Sequence, residues 1–537
     1  MKQHKRLQAI GEMAVFLFMI VFPVFVWTDY SDITAMKLAF FLVCTLGFGL
    51  SVVFCKLMLR KDWKEYLPDL FLFTFLCSGV VSWFNSPYFG KNNDQGFDYN
   101  LFGAGRFDGL IFLAAYALLY WLSSRYCRLQ LKYVRGFAII LLAMCVIAVI
   151  QLSGINVLHL YPPSSYKGHP DEFLSTIGNV DVMAGFLCLM MPMVGVGYVV
   201  FKLDKTFSAI FLAAHTVGIY VMLSLGVDMS LVGLLALVAV MTPILIRSRR
   251  YVEKLLEVGA SLALGAAVAF CVDYRYVKAD AKTITEFHFS LATAVALGVL
   301  LILLAARLFL HYKPDFDLPW KKVQWCVIGA EAALVIAAFC YFRFACDSAS
   351  AKGFTKDLSE LVRGQLSDTA GHNRIGIWRH ALQMAKRHLW LGTGCGTFAE
   401  TFRDFAREVG YERYINRNLD FAHNEYVHIL CTMGVAGLVF YLGYLVTMAW
   451  RAVRYMYRNP KILVLGACAF GYCVWVFFCF SICIVTPLFW VIMGMLAWEI
   501  RKTAKECRRQ FAVAEEGVAD SDSALPPTEE AAPLQEE

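Results

Sequence analysis

Residues 420–443 read DFAHNEYVHILCTMGVAGLVFYLG. A polar start of aspartate, histidine, asparagine and glutamate runs into an apolar stretch that continues to about residue 450. That is long enough to cross the hydrocarbon core of a bilayer, which is roughly 30 Å thick and takes about 20 helical residues. The stretch is a membrane helix, and its first turn carries more polar chemistry than an anchor requires.

Outward from it the same pattern recurs. Hydrophobic residues make up 59% of the 537 residues and charged residues only 17%, whereas soluble globular chains sit near half apolar and about a quarter charged. Composition therefore excludes a soluble domain of this length. Apolar runs of spanning length fall near 10–28, 34–55, 66–84, 107–123, 133–151, 179–201, 207–225, 229–246, 256–273, 288–310, 322–343, 424–450, 462–483 and 485–500. The expected fold is an all-α polytopic bundle of about 12 to 14 transmembrane helices. The first run, AVFLFMIVFPVFVW, is not followed by a small-residue cleavage site and reads as a retained span.

Lysine and arginine set the orientation, because cytoplasmic loops retain them. Lys2, Lys5 and Arg6 precede the first span, and every second connection is basic: Lys56 to Lys64, Arg125 to Arg135, Lys202 and Lys205, Arg247 to Lys254, Lys313 to Lys322, and Arg451 to Lys461. With Arg307 and the residues after the last span, about 30 of the 49 basic residues fall on one side. Both termini are expected to be cytoplasmic.

Four regions follow: residues 1–343 with the first eleven spans, an outer loop over 344–423, the last three spans over 424–502, and an acidic, proline-containing tail over 503–537, expected to be disordered. Most of the 17 cysteines lie in apolar runs, where they act as small hydrophobes. Cys346 and Cys395 are expected to be exposed on the outer side, and their spacing gives no support for a disulfide. Cys479 and Cys483 come nearest to a metal pattern but lack histidine or carboxylate partners, so no metal site is expected and no cofactor is implied.

A loop as long as 344–423 is usually functional or disordered, and its periodicity argues for function. In RIGIWRHALQMAKRHLWLG, Ile375, Trp378, Leu382, Ala385 and Leu389 recur at three- and four-residue steps, opposite Arg379, Gln383, Lys386 and Arg387. Such a helix could lie flat on the membrane. A second helix is expected from Thr397, with Glu400 in capping-box spacing and Phe398, Phe402, Phe405 and Val409 on one face. The intervening GTGCGT lacks a preceding strand and a following Gly-Lys-Ser/Thr, so it reads as a turn and not a phosphate loop. Two shorter outer loops, residues 85–109 and 159–181, are rich in polar and aromatic residues and could wall an outward-facing cleft with it.

His423 stands at the outer start of the twelfth span, just before Asn424, a good helix N-cap. An imidazole at the wet end of a membrane helix can act as a base or simply make a capping contact. Glu331 and His215 lie mid-span, where ionisable groups are costly; they suit either a proton path or a bundle-stabilising contact. His372-Asn373, a second His-Asn pair, lacks a following apolar run and reads as ordinary loop.

His423 and Asn424, followed after nine residues by Gly434-Val435-Ala436-Gly437, resemble the His-Asn-x9-Gly-x-x-Gly motif of the bacterial O-antigen ligase family, which also includes O-antigen polymerases and protein O-glycosylating enzymes. RIGIWRHALQMAKRHLWLGTGCGTF is similar to the family's loop segment, STIGNVDVMAGFL to its mid-chain glycine-asparagine helix start, and TPLFWVIMGML to its final span. The resemblance implies a metal-independent glycosyltransferase in the bacterial cytoplasmic membrane. It would move a glycan from undecaprenyl pyrophosphate to an acceptor hydroxyl on the outer side, the acceptor being a glycan, lipid or protein. It implies His423 as general base and Arg374 as a ligand for the pyrophosphate, with Arg379, Arg106 and Asn424 as further substrate-binding candidates. One departure stands out. Many relatives carry Ser-Arg-Gly at the outer start of the helix expected after Gly226, where this chain reads Gly226-Val227-Asp228-Met229-Ser230, and an aspartate cannot hold a pyrophosphate directly. A polysaccharide polymerase differs from a ligase only in its acceptor, and a transporter or flippase of lipid-linked sugars is the alternative from another class.

Overall fold

The computed structural model describes residues 2–57, 67–104, 107–161, 173–277, 282–316, 318–347, 351, 353–415 and 419–523. Among these, eleven helices are long and apolar enough to cross a membrane, and two shorter apolar helices stand beside them. The chain is an all-α polytopic bundle. Its helices are α1 (Lys2–Phe16, prolonged by a π-turn at Leu17–Val21 and by Phe22–Val24), α2 (Ile33–Leu57), α3 (Leu67–Phe84), α4 (Leu110–Tyr126), α5 (Leu131–Leu152), α6 (Val180–Val200), α7 (Lys205–Ser224), α8 (Asp228–Leu245), α9 (Arg249–Cys271), α10 (Leu291–Tyr312) and α11 (Trp320–Cys340). The long loop expected on the outer side holds α12 (Gly353–Arg363), α13 (Arg374–Ala385) and α14 (Phe398–Val409), and α15 (Glu425–Tyr455), α16 (Pro460–Trp475) and α17 (Thr486–Ser523) follow.

Helix α6 is apolar on every side because it is covered on every side: Val182 through Val200 are all buried. Two glycines let α16 approach it. A Cβ at Gly185 would strike the Trp475 indole, and one at Gly471 would strike the Cys188 carbonyl. The same indole donates through Nε1 to the Asp181 carbonyl at 3.0 Å, which ties α16 to the outer end of α6. Helix α11, by contrast, buries none of its residues and lies at the periphery.

Three boundaries differ from expectation. Helix α16 stops at Trp475 rather than 483, and residues 476–485 are irregular. At membrane depth that requires partners for the released backbone groups. Glu425 supplies them: its backbone N–H donates to the Val476 carbonyl at 2.9 Å, and its carboxylate accepts from the Ser481 N–H and Oγ, each at 2.8 Å. Second, α17 continues to Ser523, so residues 503–523, expected as disordered tail, are helical, in keeping with the good helix formers Lys, Arg, Glu and Ala that follow Arg501. Residues 524–537 of that tail lie outside the described residues. Third, a hairpin pairs Val272–Val277 with Lys282–Phe287 between α9 and α10, where only a connector was expected. Its β-branched and aromatic residues were there to be read.

Helix α15 is broken. Gly434 has φ 69° and ψ −170°, so the helical ladder lapses there. The turn of the outer loop fills the gap. Thr393 and Gly394 donate to the carbonyls of Cys431 and Thr432 at 3.0 and 2.8 Å, while Val435 and Ala436 donate to those of Leu389 and Trp390 at 2.8 and 3.3 Å. The first glycine of Gly-x-x-Gly thus serves a backbone break, not only helix packing. A side chain at Gly434 would collide with the Trp390 backbone.

Candidate active site

Helices α13 and α14 pack on each other and on the outer part of α15. The buried residues of α13 are Gly376, Ile377, His380, Ala381, Met384 and Ala385. This face is rotated from the one expected: only Ala385 is shared, while Leu382 and Leu389 are about two-fifths exposed, at 41% and 40%. Phe398, Phe402 and Phe405 of α14 are buried as their spacing suggested, but Val409 is exposed. The capping box does not form. Thr397 instead donates to the Gly394 carbonyl at 2.7 Å, and Glu400 pairs with Arg403 at 3.0 Å. Cys395 and Cys346, expected to be exposed, are buried and unbridged, and burial pushes the Cys395 thiol up to about 12.

His423 occupies the last position before the α15 cap, with φ 50°, in the left-handed region. Asn424 fixes it there, accepting from the N–H groups of Tyr426 and Val427 at 3.0 and 3.1 Å. Its side-chain oxygen is thereby engaged by the helix. Trp378 of α13 donates from Nε1 to the His423 carbonyl at 3.3 Å, and its indole packs against Phe477 and Phe478. The imidazole meets the Phe480 ring at 5.4 Å, and that ring stacks on Phe421 at 4.0 Å and 7°. The His423 Nδ1 is buried and has no hydrogen-bond partner among the described residues.

Arg374 opens α13 and lies near enough for its charge to act on His423. Burial first, and the Arg374 guanidinium second, pull the His423 pKa from 6.5 to about 4, so the imidazole is neutral at neutral pH. Arg374 is mostly buried, stands 3.8 Å from the Asp181 carboxylate at the outer start of α6, and leaves Nε without a hydrogen-bond partner among the described residues. The segments carrying the glycine-asparagine helix start and the loop arginine therefore meet. In that start, Asn179 caps α6, accepting from the Asp181 and Val182 N–H groups.

The other candidates are placed differently. Arg379 is half exposed and engaged by Asp368 at 2.6 Å and by the Leu366 carbonyl. Arg106 lies outside the described residues. Asp228 does not stand alone: its carboxylate is 3.7 Å from His372 Nδ1. His372 and Asn373, which read as ordinary loop, both take positive φ, 55° and 72°, to start α13. Arg413, not singled out from the sequence, hydrogen-bonds the side chain of Asn373, the residue that precedes Arg374 in the chain. Nothing in the sequence near Arg413 signals this, because the contact spans forty residues. His215 bonds to Ser261 at 2.6 Å, and among the described residues no hydrogen bond or ion pair joins it to Glu331 on α11.

Beside His423 lies a cavity of about 460 Å³, walled also by Tyr30, Asp181, Asp420, Phe173 and Phe480. A neutral imidazole, a guanidinium and a cavity thus meet at one end of a multi-pass membrane bundle. Residues 287–442 match the family described as O-Antigen ligase, a stretch that takes in the outer loop, His423 and Gly437. The match covers less than a third of the chain and takes in the loop and His-Asn motifs on which the resemblance rests. No curated protein matches the chain.

Proposed function

We propose that this protein transfers a glycan from undecaprenyl pyrophosphate to an acceptor hydroxyl at the outer face of the bacterial cytoplasmic membrane, with both termini inside. The observation that carries the reading is the apposition of His423 and Arg374. Displacement at the anomeric carbon needs a base for the acceptor proton and a cation for the departing diphosphate. In this reading His423 accepts the hydroxyl proton as the acceptor oxygen bonds to the anomeric carbon. The bond from that carbon to the diphosphate breaks with inversion, its electron pair leaves on the diphosphate oxygen, and Arg374 stabilises the negative charge there. A diphosphate beside the imidazole also offsets the Arg374 charge, which raises the basicity of His423 when donor is bound.

Arg374 leads the phosphate candidates, and Arg413 is the second ligand we favour, since Arg379 is engaged by Asp368. Asn424 serves as the cap that holds His423 in place. The test is purified protein incubated with a defined undecaprenyl-pyrophosphate glycan and candidate acceptors. His423→Ala is expected to insert and fold but to transfer no glycan. Undiminished transfer by that variant would sink the proposal.

A further inference from the structure

The cavity beside His423 has a charge that selects its occupant. Its walls carry the carboxylates of Asp181 and Asp420, the neutral side chains of Ser31, Thr34 and Asn179, and several aromatic rings, but no lysine or arginine among the described residues. The α6 N-terminus opens here, yet its first N–H groups are already taken by the Asn179 side chain. That removes the usual attraction of a helix start for anions. A diphosphate entering this space would face the Asp420 carboxylate and that of Asp181, the latter 3.8 Å from the Arg374 guanidinium, and like charges at short range repel where water is scarce. The volume, about 460 Å³, lies in the range of small-molecule sites.

Tyr30 and Phe173 stand with their rings 5.3 Å apart on one wall, and Phe480 stands on another, beside His423. Tyr30 is held firmly. Its hydroxyl donates to the Ser175 carbonyl at 2.6 Å and accepts from Gln151 at 3.0 Å. Rigid aromatic faces and carboxylate acceptors suit the C–H faces and hydroxyl groups of a sugar ring.

Building on the proposed transferase, we infer that this cavity is the acceptor subsite and that it takes an uncharged saccharide, with the donor diphosphate on the Arg374 and Arg413 side. The acceptor hydroxyl then meets His423 from the cavity, while the leaving group stays with Arg374 behind the cavity wall.

The test uses the full-length protein, labelled undecaprenyl-pyrophosphate glycan, and membranes of the producing cells as the source of endogenous acceptor. Two properties are read, donor binding and transfer. Thr34→Trp, which fills the cavity, is expected to bind donor like the wild type while losing transfer at least tenfold. Arg374→Gln is expected to lose donor binding. Should Thr34→Trp fold poorly, Asp420→Asn is read instead, with an acceptor KM raised about tenfold and an unchanged donor KM. In the wild-type product, the sugar ring bearing the new bond is expected to carry neither phosphate nor carboxylate. Loss of donor binding in Thr34→Trp, full transfer by it, a raised donor KM alone in Asp420→Asn, or a charged acceptor ring would each overturn the assignment. Transfer that survives His423→Ala would instead overturn the underlying transferase reading.

Discussion

The indole of Trp378 donates a hydrogen bond to the backbone carbonyl of His423 at 3.3 Å. The helix that begins with Arg374 is thereby fastened to the residue ahead of the α15 cap, and the base and the cation of the proposed reaction share one support. Trp378→Phe keeps an aromatic ring against Phe477 and Phe478 but removes the donor. A single hydrogen bond contributes about 0.5–1.5 kcal/mol, so transfer is expected to fall roughly two- to tenfold with little change in thermal stability. Steady-state rates alongside detergent melting curves check this.

The pH dependence follows from the His423 pKa of about 4, lowered from 6.5. The neutral base of the free protein persists as pH falls and is lost only through about 4, so the acid limb of the kcat/KM profile should lie well below 6.5. In Arg374→Gln one of the two lowering causes is gone, and the titration of the imidazole should shift upward. Stability carries the same sign. Between 6.5 and about 4 the unfolded chain binds a proton that the folded chain refuses, so this group lowers stability as pH falls across that window. The wild-type kcat/KM profile, the imidazole titration of both proteins followed by NMR, and melting at pH 7 and pH 5 test these statements.

The arginines of the outer loop should separate by partner. Arg379 already pairs with Asp368, and Arg379→Ala should leave the donor KM within about twofold, as for exposed ion pairs. Arg413 is bonded to an uncharged amide next to Arg374. Charged hydrogen bonds are worth about 1.5–3 kcal/mol, so Arg413→Ala should raise the donor KM tenfold or more. Equal effects in the two variants would remove Arg413 from the site.

Gly434→Ala forces a side chain into a left-handed conformation, against the Trp390 backbone. Strain of this kind costs about 1–3 kcal/mol, and the melting temperature should drop accordingly. Gly298 on α10 is the contrasting case. A Cβ there meets nothing within 4 Å, and Gly298→Ala should be neutral or stabilising by up to about 1 kcal/mol.

The bundle itself was legible because each membrane helix announces itself by length and apolarity, properties local to the chain. A motif pointed to His423, Asn424 and Arg374, and the fold brings the arginine's charge to bear on the histidine. What escaped was non-local. The buried face of α13 is set by α14 and α15, not by its own strongest apolar stripe. The end of α16 is decided by Glu425, fifty residues earlier in the chain, which takes up the Val476 and Ser481 groups. The roles of Asp181, Arg413 and His372 depend on which loops meet at the outer ends of α6, α8 and α13, and periodicity along one segment carries no record of that.

The turn at residues 389–394 is seated in the gap of α15, its backbone bonded to carbonyls before Gly434 and to N–H groups after it. Outer loop and helix are therefore a matched pair, like two halves of one zipper. A chimaera that exchanges the loop between relatives should work only when the segment around Cys431–Ala436 travels with it, and the specificity of one protein cannot be grafted to another by the loop alone.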